Sequence, residues 1–452
     1  MTDLLKKYGL QLEDFKRLDW RLQKADNSTI IFYSLSETFE AENKLHKLLE
    51  TVNLGLLLLN RLPTQKPSVA YVVIASEDWT PLQKEICDYF FPFPDGVKLI
   101  GVTGTNGKTT TTDLVLQIGG LLGKKCFSIG TLGVRGHDGT IEEFGMTTPG
   151  FIQLRKIFYD YGKNKDFVVM EVTSHALDQK RVFGLRFDAC AWMNFTQDHL
   201  DYHKTMEDYF HAKEKIFEYL RPGVFVHVPS SQDELLKKLS HHLNIKRISL
   251  DKIKNAIVPE AFKAIFNQEN LSVALSLIEE LYGLFPISQL EKITPPPGRF
   301  YVKRSNDRIA VVDSAHTPDA LDNICSAVKK TYPDYKLIVL FGCGGDRDRS
   351  KRPIMAEVVC RYADEVYLTS DNPRTESPLS IIRDIIPGMG QSIPYKVIED
   401  RTEAMHLALK SLGPKTVLLA AGKGHENYII VGQTKYPYSD IALVEECLGI
   451  TK

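Results

Sequence analysis

The chain has 452 residues, 43% hydrophobic and 25% charged, with a formal net charge of -1. That length suits several domains, and the composition is that of a soluble globular protein. The near-neutral balance excludes a global field for nucleic acid or an anionic membrane, so an anionic ligand would need local positive partners. The 7 cysteines are scattered, odd in number and never spaced C-x-x-C. They read as reduced thiols of a cytoplasmic protein rather than a disulfide framework or a zinc site. The first residues carry no apolar signal core, and runs such as Leu54–Leu59 and Leu337–Gly345 are too short to span a bilayer.

In chain order, residues 1–95 mix helix and strand signals, with strands expected at Thr29–Tyr33 and Ala70–Ile74 and a helix from Glu40 to Thr51. The segment ends in the Pro/Gly punctuation FFPFPDG. Residues 96–296 open with the apolar strand Val97–Val102. They continue through Phe167–Val172, Ala189–Asn194 and a helical run from Met206 to Leu220, closing at TPPPG, Thr294–Gly298. Alternating strands and helices predict a mainly parallel sheet covered by helices. Residues 297–452 alternate again, with β-rich runs at Ile309–Asp313, Leu337–Phe341, Glu365–Thr369 and Thr416–Ala420. The expected fold is thus α/β in three domains: a small α/β N-terminal domain, a central P-loop parallel-sheet domain and a C-terminal Rossmann-like domain. Ligands of the last are expected beyond the carboxyl ends of its strands.

The strongest motif is GVTGTNGKTTTT, Gly101–Thr112, placed between a strand and a helical pattern. Glycines let the backbone curl so that its N–H groups converge on phosphate oxygens at a helix N-terminus. Lys108 would reach the terminal phosphates and the Thr109 hydroxyl would hold Mg²⁺. The strict G-x-x-x-x-G-K-[ST] spacing fails, because Val102 stands where its first glycine belongs. Elsewhere, Glu171 at a strand end and His199 in a loop could be metal ligands or ordinary hydrogen-bonding residues. Lys213 could be one more solvated lysine on an amphipathic helix. Asp371-Asn372-Pro373 by itself is good turn chemistry.

G-T-N-G-K-T-T resembles the ATP-binding loop of the Mur ligase family. MEVTSHALDQKRV, NFTQDHLDYHKTMEDYFHAKEKIF, PPPGRF, VDSAHTPDAL, FGCGGDRDRSKRP, DNPRTESP and AGKGHE follow in the family's order, over roughly residues 98–430. The resemblance implies that Gly104, Thr105, Asn106, Gly107, Lys108, Thr109 and Thr110 cradle ATP, with Asn270 at the adenine edge, Arg299 at the γ-phosphate and Asp313 at the ribose. It implies two Mg²⁺ sites drawing on Thr109, Glu171, His199 and a Lys213 carbamylated by CO₂, with Lys215 as a rival for that last position. Lys108, Glu171, His199, Lys213 and Arg299 would carry catalysis. Thr147, Thr148, Thr173, Gln179 and Arg181 would hold a UDP-muramoyl dipeptide, although Met146 and Thr173 stand where relatives carry Asn and Ser. Ser314 replaces the family's Tyr before Ala-His.

Arg347, Asp371, Asn372, Pro373, Arg374, Gly422 and Glu426 would take meso-diaminopimelate. In this reading Arg374 meets the distal carboxylate, Glu426 the distal ammonium and Arg347 the carboxylate beside the reacting amine. The implied activity is ATP-dependent, ADP-forming amide ligation through an acyl phosphate in cell-wall peptidoglycan synthesis, by a monomer with small-molecule substrates. A lysine-adding Mur ligase or folylpolyglutamate synthetase is the nearest alternative, and a P-loop ATPase switch a more distant one. The family's D-S-R-like segment and G-D-x-F strand for the uridine end are not found in residues 1–95, where ADNSTIIFYSLSE occupies roughly that place.

Overall fold

The computed structural model describes residues 2–136, 139–390 and 393–449. Contacts divide the chain into two compact units. One holds the chain up to Thr103, Gly123–Cys190 and His211–Val224; the other holds Gly104–Leu122, Ala191–Phe210 and the chain from Phe225 onward. The fold is α/β throughout, with the expected mainly parallel sheets.

The first unit contains a four-stranded parallel sheet in the order Arg17–Asp19, Thr29–Tyr33, Leu56–Leu59, Tyr71–Val73. Leu56–Leu59 was read from sequence only as an apolar run. Its side chains alternate between two cores, Leu56 and Leu58 in one and Leu57 and Leu59 in the other. A strand buried on both faces loses the polar alternation that would announce it. In the same unit Lys98–Thr103 pairs parallel with Phe167–Glu171, which pairs parallel with Cys126–Gly130; Gly133–Gly136 and Gly139–Glu142 extend this antiparallel. Met206–Leu220 splits into an α-helix, Met206–Glu214, and a 3₁₀ turn, Lys215–Tyr219.

In the second unit the helix Lys108–Leu121 packs on Ile265–Tyr282. A six-stranded sheet runs in the order Tyr301–Ser305, Arg308–Asp313, Thr416–Ala421, Lys336–Phe341, Glu365–Leu368, Tyr395–Val397. All pairs are parallel except the first, a hairpin at the edge. The helix Pro318–Thr331 shows why its boundaries fall where they do: the Thr317 hydroxyl caps it, Pro318 opens it, and Lys329 and Lys330 close it against the dipole. All seven cysteines are free, and no described helix is long and apolar enough to cross a membrane.

One buried ion pair fixes two loop bases beside this sheet. Arg401 and Asp440 are both fully buried. Arg401 Nε and Nη2 donate to the two Asp440 carboxylate oxygens at 3.0 and 2.7 Å. The same guanidinium donates to Ser370 O at 3.2 Å and Ala421 O at 2.9 Å, the residues just before Asp371 and Gly422. Removing one partner strands a charge in the core. Arg401→Ala is therefore expected to cost about 3–5 kcal/mol in urea unfolding. Replacing both partners with apolar residues should recover much of that loss; a cost below about 1 kcal/mol for the single change would show that the pair is dispensable.

Candidate functional site

The phosphate loop is built by a backbone that only glycine permits at its pivot. Gly107 sits at φ 83°, and a Cβ there would lie 2.6 Å from Asn270 Oδ1. The helix beginning at Lys108 then offers first-turn donors that have no intrahelical carbonyl. Lys108 Nζ curls back to donate to Gly104 O at 3.0 Å and Thr105 O at 2.7 Å. Asn194 Oδ1 accepts from the N–H groups of Thr105 (3.1 Å) and Asn106 (2.8 Å), and its Nδ2 donates to Asn106 O at 3.2 Å. Asn194 escaped the sequence reading, although a strand-end amide at the start of N-F-T was available as a signal. Thr109, Thr110 and Asn270 are buried alongside, with Thr111 Oγ1 donating to Asn270 Oδ1 at 3.3 Å.

His199 lies in the same unit, in the left-handed region at φ 54°. Its Nε2 is 3.4 Å from Asp198 Oδ2, while Lys351 Nζ is 3.2 Å from Asp198 Oδ1. Burial would raise the Asp198 pKa, but the charges of His199, Lys351 and His316 outweigh it and hold the carboxyl at about 2. Asp198 and Lys351 were not anticipated.

Glu171 is the centre of a second cluster, in the first unit. It is 1% exposed, and its Oε1 accepts from Thr131 N–H at 2.8 Å. Gly130 makes room for it, because a Cβ there would meet that carboxylate at 2.2 Å. The hydroxyls of Thr131 and Thr147 lie 3.1 Å apart, and those of Thr148 and Thr173 lie 3.2 Å apart. Thr148 Oγ1 also donates to Glu171 O at 2.9 Å. Thr173 caps the helix Ser174–Asp178, so it keeps the hydroxyl work of the serine it replaces. Arg181 donates to Thr148 O (2.7 Å) and, through Nε and Nη2, to Gln179 Oε1 (3.0 and 2.7 Å). Thus Thr147, Thr148, Thr173, Gln179 and Arg181 do converge, with Thr131 as an unforeseen member. Met146 stays at the exposed rim, its sulfur 3.9 Å from Arg181 Nη1.

Lys213, also in this unit, is 1% exposed and so is not the solvated lysine of the plain reading. Lys215 instead pairs with Asp178 at 2.7 Å and remains partly exposed.

The remaining expected residues gather at the carboxyl edge of the six-stranded sheet. Asp313 is buried and accepts from Phe300 N–H (2.7 Å) and Ala315 N–H (2.8 Å); burial pushes its pKa up. Arg299 Nη1 donates to the Ser314 hydroxyl, while its Nε is enclosed by the protein. His425 is held at about 4, first by burial and then by the Arg299 charge.

Asn372 joins the two loops: its Oδ1 accepts from Lys423 Nζ and Ile430 N–H, both at 2.8 Å, and its Nδ2 donates to Glu426 at 2.9 Å. Lys423, fully buried and missed from sequence, also pairs with Glu426 at 2.7 Å and lies 3.8 Å from Asp371. A Cβ on Gly422 (φ 109°) would meet Asp371 Oδ2 at 2.6 Å. Arg374 follows Pro373 with φ 52°, its backbone held by Ile430 O (3.1 Å) and Gly432 N–H (2.7 Å), and its Nη1 donates to Gly345 O at 2.8 Å. Gly344 lies between Arg374 and Arg347, a Cβ there falling 3.0 Å from Arg374 Nη1 and 3.6 Å from Arg347 Cγ; the Arg347 loop is otherwise exposed.

In the N-terminal sheet, Asp19-Trp20-Arg21 keeps two of the three residues of the sought D-S-R segment and had been passed over. Asp19 is 2% exposed, and Arg21 grips both of its oxygens at 2.9 Å.

Residues 102–288 match the Mur ligase middle domain, and residues 298–424 match the Mur ligase glutamate ligase domain. The UDP-N-acetylmuramoyl-L-alanyl-D-glutamate--2,6-diaminopimelate ligase of Aquifex aeolicus is 37% identical over 406 residues, covering 84% of this chain and 83% of that protein. The Pseudomonas putida protein of the same name is 38% identical, covering 78% of each chain. A solved structure of a ligase so named superposes with a TM-score of 0.59 at 27% identity, over 96% of this chain and 95% of the other. The chain belongs to the Mur ligase family.

Proposed function

We propose that this protein is an ATP-dependent, ADP-forming ligase that adds meso-2,6-diaminopimelate to UDP-N-acetylmuramoyl-L-alanyl-D-glutamate in peptidoglycan synthesis. The observation that carries the amino-acid choice is the neighbourhood of Arg374: a guanidinium directly beside a loop pair that also presents Glu426. A fork-shaped cation and a carboxylate together match a side chain ending in both a carboxylate and an ammonium, whereas lysine ends only in a cation. Arg347 takes the carboxylate next to the reacting amine, with Asp371, Asn372, Pro373 and Gly422 shaping the pocket.

In this reading the γ-carboxylate of the D-Glu residue attacks the γ-phosphorus of ATP, and ADP leaves. The amine of diaminopimelate then attacks the acyl carbon, losing a proton as phosphate departs. Gly104–Thr110, Lys108 above all, orient the triphosphate; the Arg299 guanidinium brings positive charge to the transferred phosphoryl group. Asn270 meets the adenine edge and Asp313 the ribose. Thr147, Thr148, Thr173, Gln179 and Arg181 position the dipeptide, so that the chemistry rests mainly on placement and charge.

Mg²⁺ supplies neutralisation of the phosphate charge. Within one unit the Thr109 hydroxyl and His199 have donor chemistry suited to it, and within the other so do Glu171 and a Lys213 carbamate formed from CO₂. The domain limits that fit this assignment are 1–95, 96–296 and 297–452, the first binding the uridine end with Asp19 and Arg21 in its wall. The enzyme works as a cytoplasmic monomer, with no nucleic acid or membrane partner.

Lys213→Ala is expected to lower the rate of diaminopimelate-dependent phosphate release by at least about 100-fold, with partial rescue by acetate as a replacement carboxylate. Full activity in that variant would make Lys213 an ordinary core residue. Arg374→Ala should weaken diaminopimelate by about 2–5 kcal/mol, at least about 30-fold in KM, because a carboxylate is left desolvated without its partner. The KM for ATP should scarcely move. Steady-state kinetics with diaminopimelate and with lysine decide the matter: an unchanged diaminopimelate KM, or a wild-type preference for lysine, would overturn the specificity.

A further inference from the structure

Asp319 occupies the first turn of the helix Pro318–Thr331, where an acidic side chain ordinarily serves the helix's own N–H groups. Here that service comes from Thr317, whose hydroxyl accepts from Ala320 N–H at 3.2 Å. The Asp319 carboxylate points elsewhere. Its Oδ2 accepts from Asn106 Nδ2 at 2.7 Å and from Thr196 Oγ1 at 3.0 Å. Asn106 is in the phosphate loop, its N–H held by Asn194. Thr196 is the other wall: its N–H donates to Thr105 Oγ1 at 3.1 Å, and Thr105 Oγ1 donates to Thr196 O at the same distance.

One carboxylate oxygen therefore ties both walls of the loop to a helix of the glutamate ligase domain, residues 298–424, while both walls belong to the middle domain, residues 102–288. The seat is not a comfortable one for an anion. Burial, then the carboxylates of Asp322 and Asp198, push the Asp319 pKa up, and the two donated bonds work against that. Fold stability alone gives little reason to place an acid there.

We propose that Asp319 is a positioning residue for the ligase reaction, setting the nucleotide-ready conformation of the phosphate loop from the glutamate ligase domain. The inference rests on the reading of Gly104–Thr110 as the ATP loop. It assigns Asp319 no contact with substrate: the carboxylate acts through Asn106 and Thr196. Binding of ATP and seating of the amino-acid-binding domain are coupled through this one side chain, because moving the helix removes the loop's outer support.

The test is steady-state kinetics with Mg-ATP and diaminopimelate varied in turn, a Mg-ATP binding titration and a melting curve for each variant. Asp319→Ala should raise the KM and Kd for ATP about tenfold, since a charge-assisted bond to the loop is lost, and leave the diaminopimelate KM within about twofold. Asp319→Asn keeps an acceptor oxygen and should return ATP values to within about threefold of wild type. Unchanged ATP values in Asp319→Ala overturn the proposal, as does a lowered melting temperature with no change in either KM, which marks a purely structural acid. If Asp319→Ala does not fold, Thr196→Val, which removes one of the two donors, should still raise the ATP KM about threefold, and no change there is equally fatal. A wild-type protein that binds no Mg-ATP sinks the loop reading itself and this proposal with it.

Discussion

The backbone of Gly104–Thr110 has to present its donors toward one point, and most polar contacts around it serve that requirement. Side chains do much of the holding. Lys108 ties the loop's carbonyls from within. Asn194 takes the N–H groups of Thr105 and Asn106. These bonds keep buried backbone groups satisfied and leave the first-turn N–H groups of the helix from Lys108 without intrahelical partners. Gly107 then has to be glycine for two reasons at once, its positive φ and the closeness of Asn270.

The amino-acid edge of the six-stranded sheet solves a different problem, that of keeping opposite charges in a small space without collapse. Glu426 is paired directly with Lys423, and Asn372 hydrogen-bonds both. Arg374 has a left-handed backbone, and its Nη1 rests on Gly345 O. Each loop leaves a base fixed by Arg401, whose own charge is matched by Asp440 in the core. Rigid bases with short polar loops are what a bidentate carboxylate site needs, because such pairs lose most of their value when the fork is misaligned.

The threonine cluster around Glu171 works by the same economy. Four hydroxyls lie in two pairs beside the strand end, Thr131 with Thr147 and Thr148 with Thr173, and the Thr148 carbonyl accepts from Arg181, which also holds Gln179. Hydroxyls can donate or accept, so such a cluster can reorganise around an incoming peptide without stranding a buried group.

Sequence alone determined the α/β class, the phosphate loop and the order of the motifs, because these depend on local rules: apolar runs for buried strands, glycine for positive φ, caps and prolines for helix ends. Residue type and spacing singled out candidates where they were distinctive, as in Gly104–Thr110, Thr147–Thr148 and Asp371–Arg374. The strand Leu56–Leu59 was not legible, since a run buried on both faces carries no period. Nor were Asn194, Thr131, Lys423 and Asp319, whose types are common and whose partners lie far away in the chain; Asp319 meets Asn106 across 213 residues. Burial is a tertiary matter too: Lys213 and Lys215 are two residues apart, the Ala-Lys spacing favoured the first, and only packing shows that Lys213 is enclosed by the core while Lys215 pairs with Asp178 at the surface. Spacing along the chain can say which side chains share a helix face, but only tertiary packing sets which of them is stripped of water, and that governs what its charge can do.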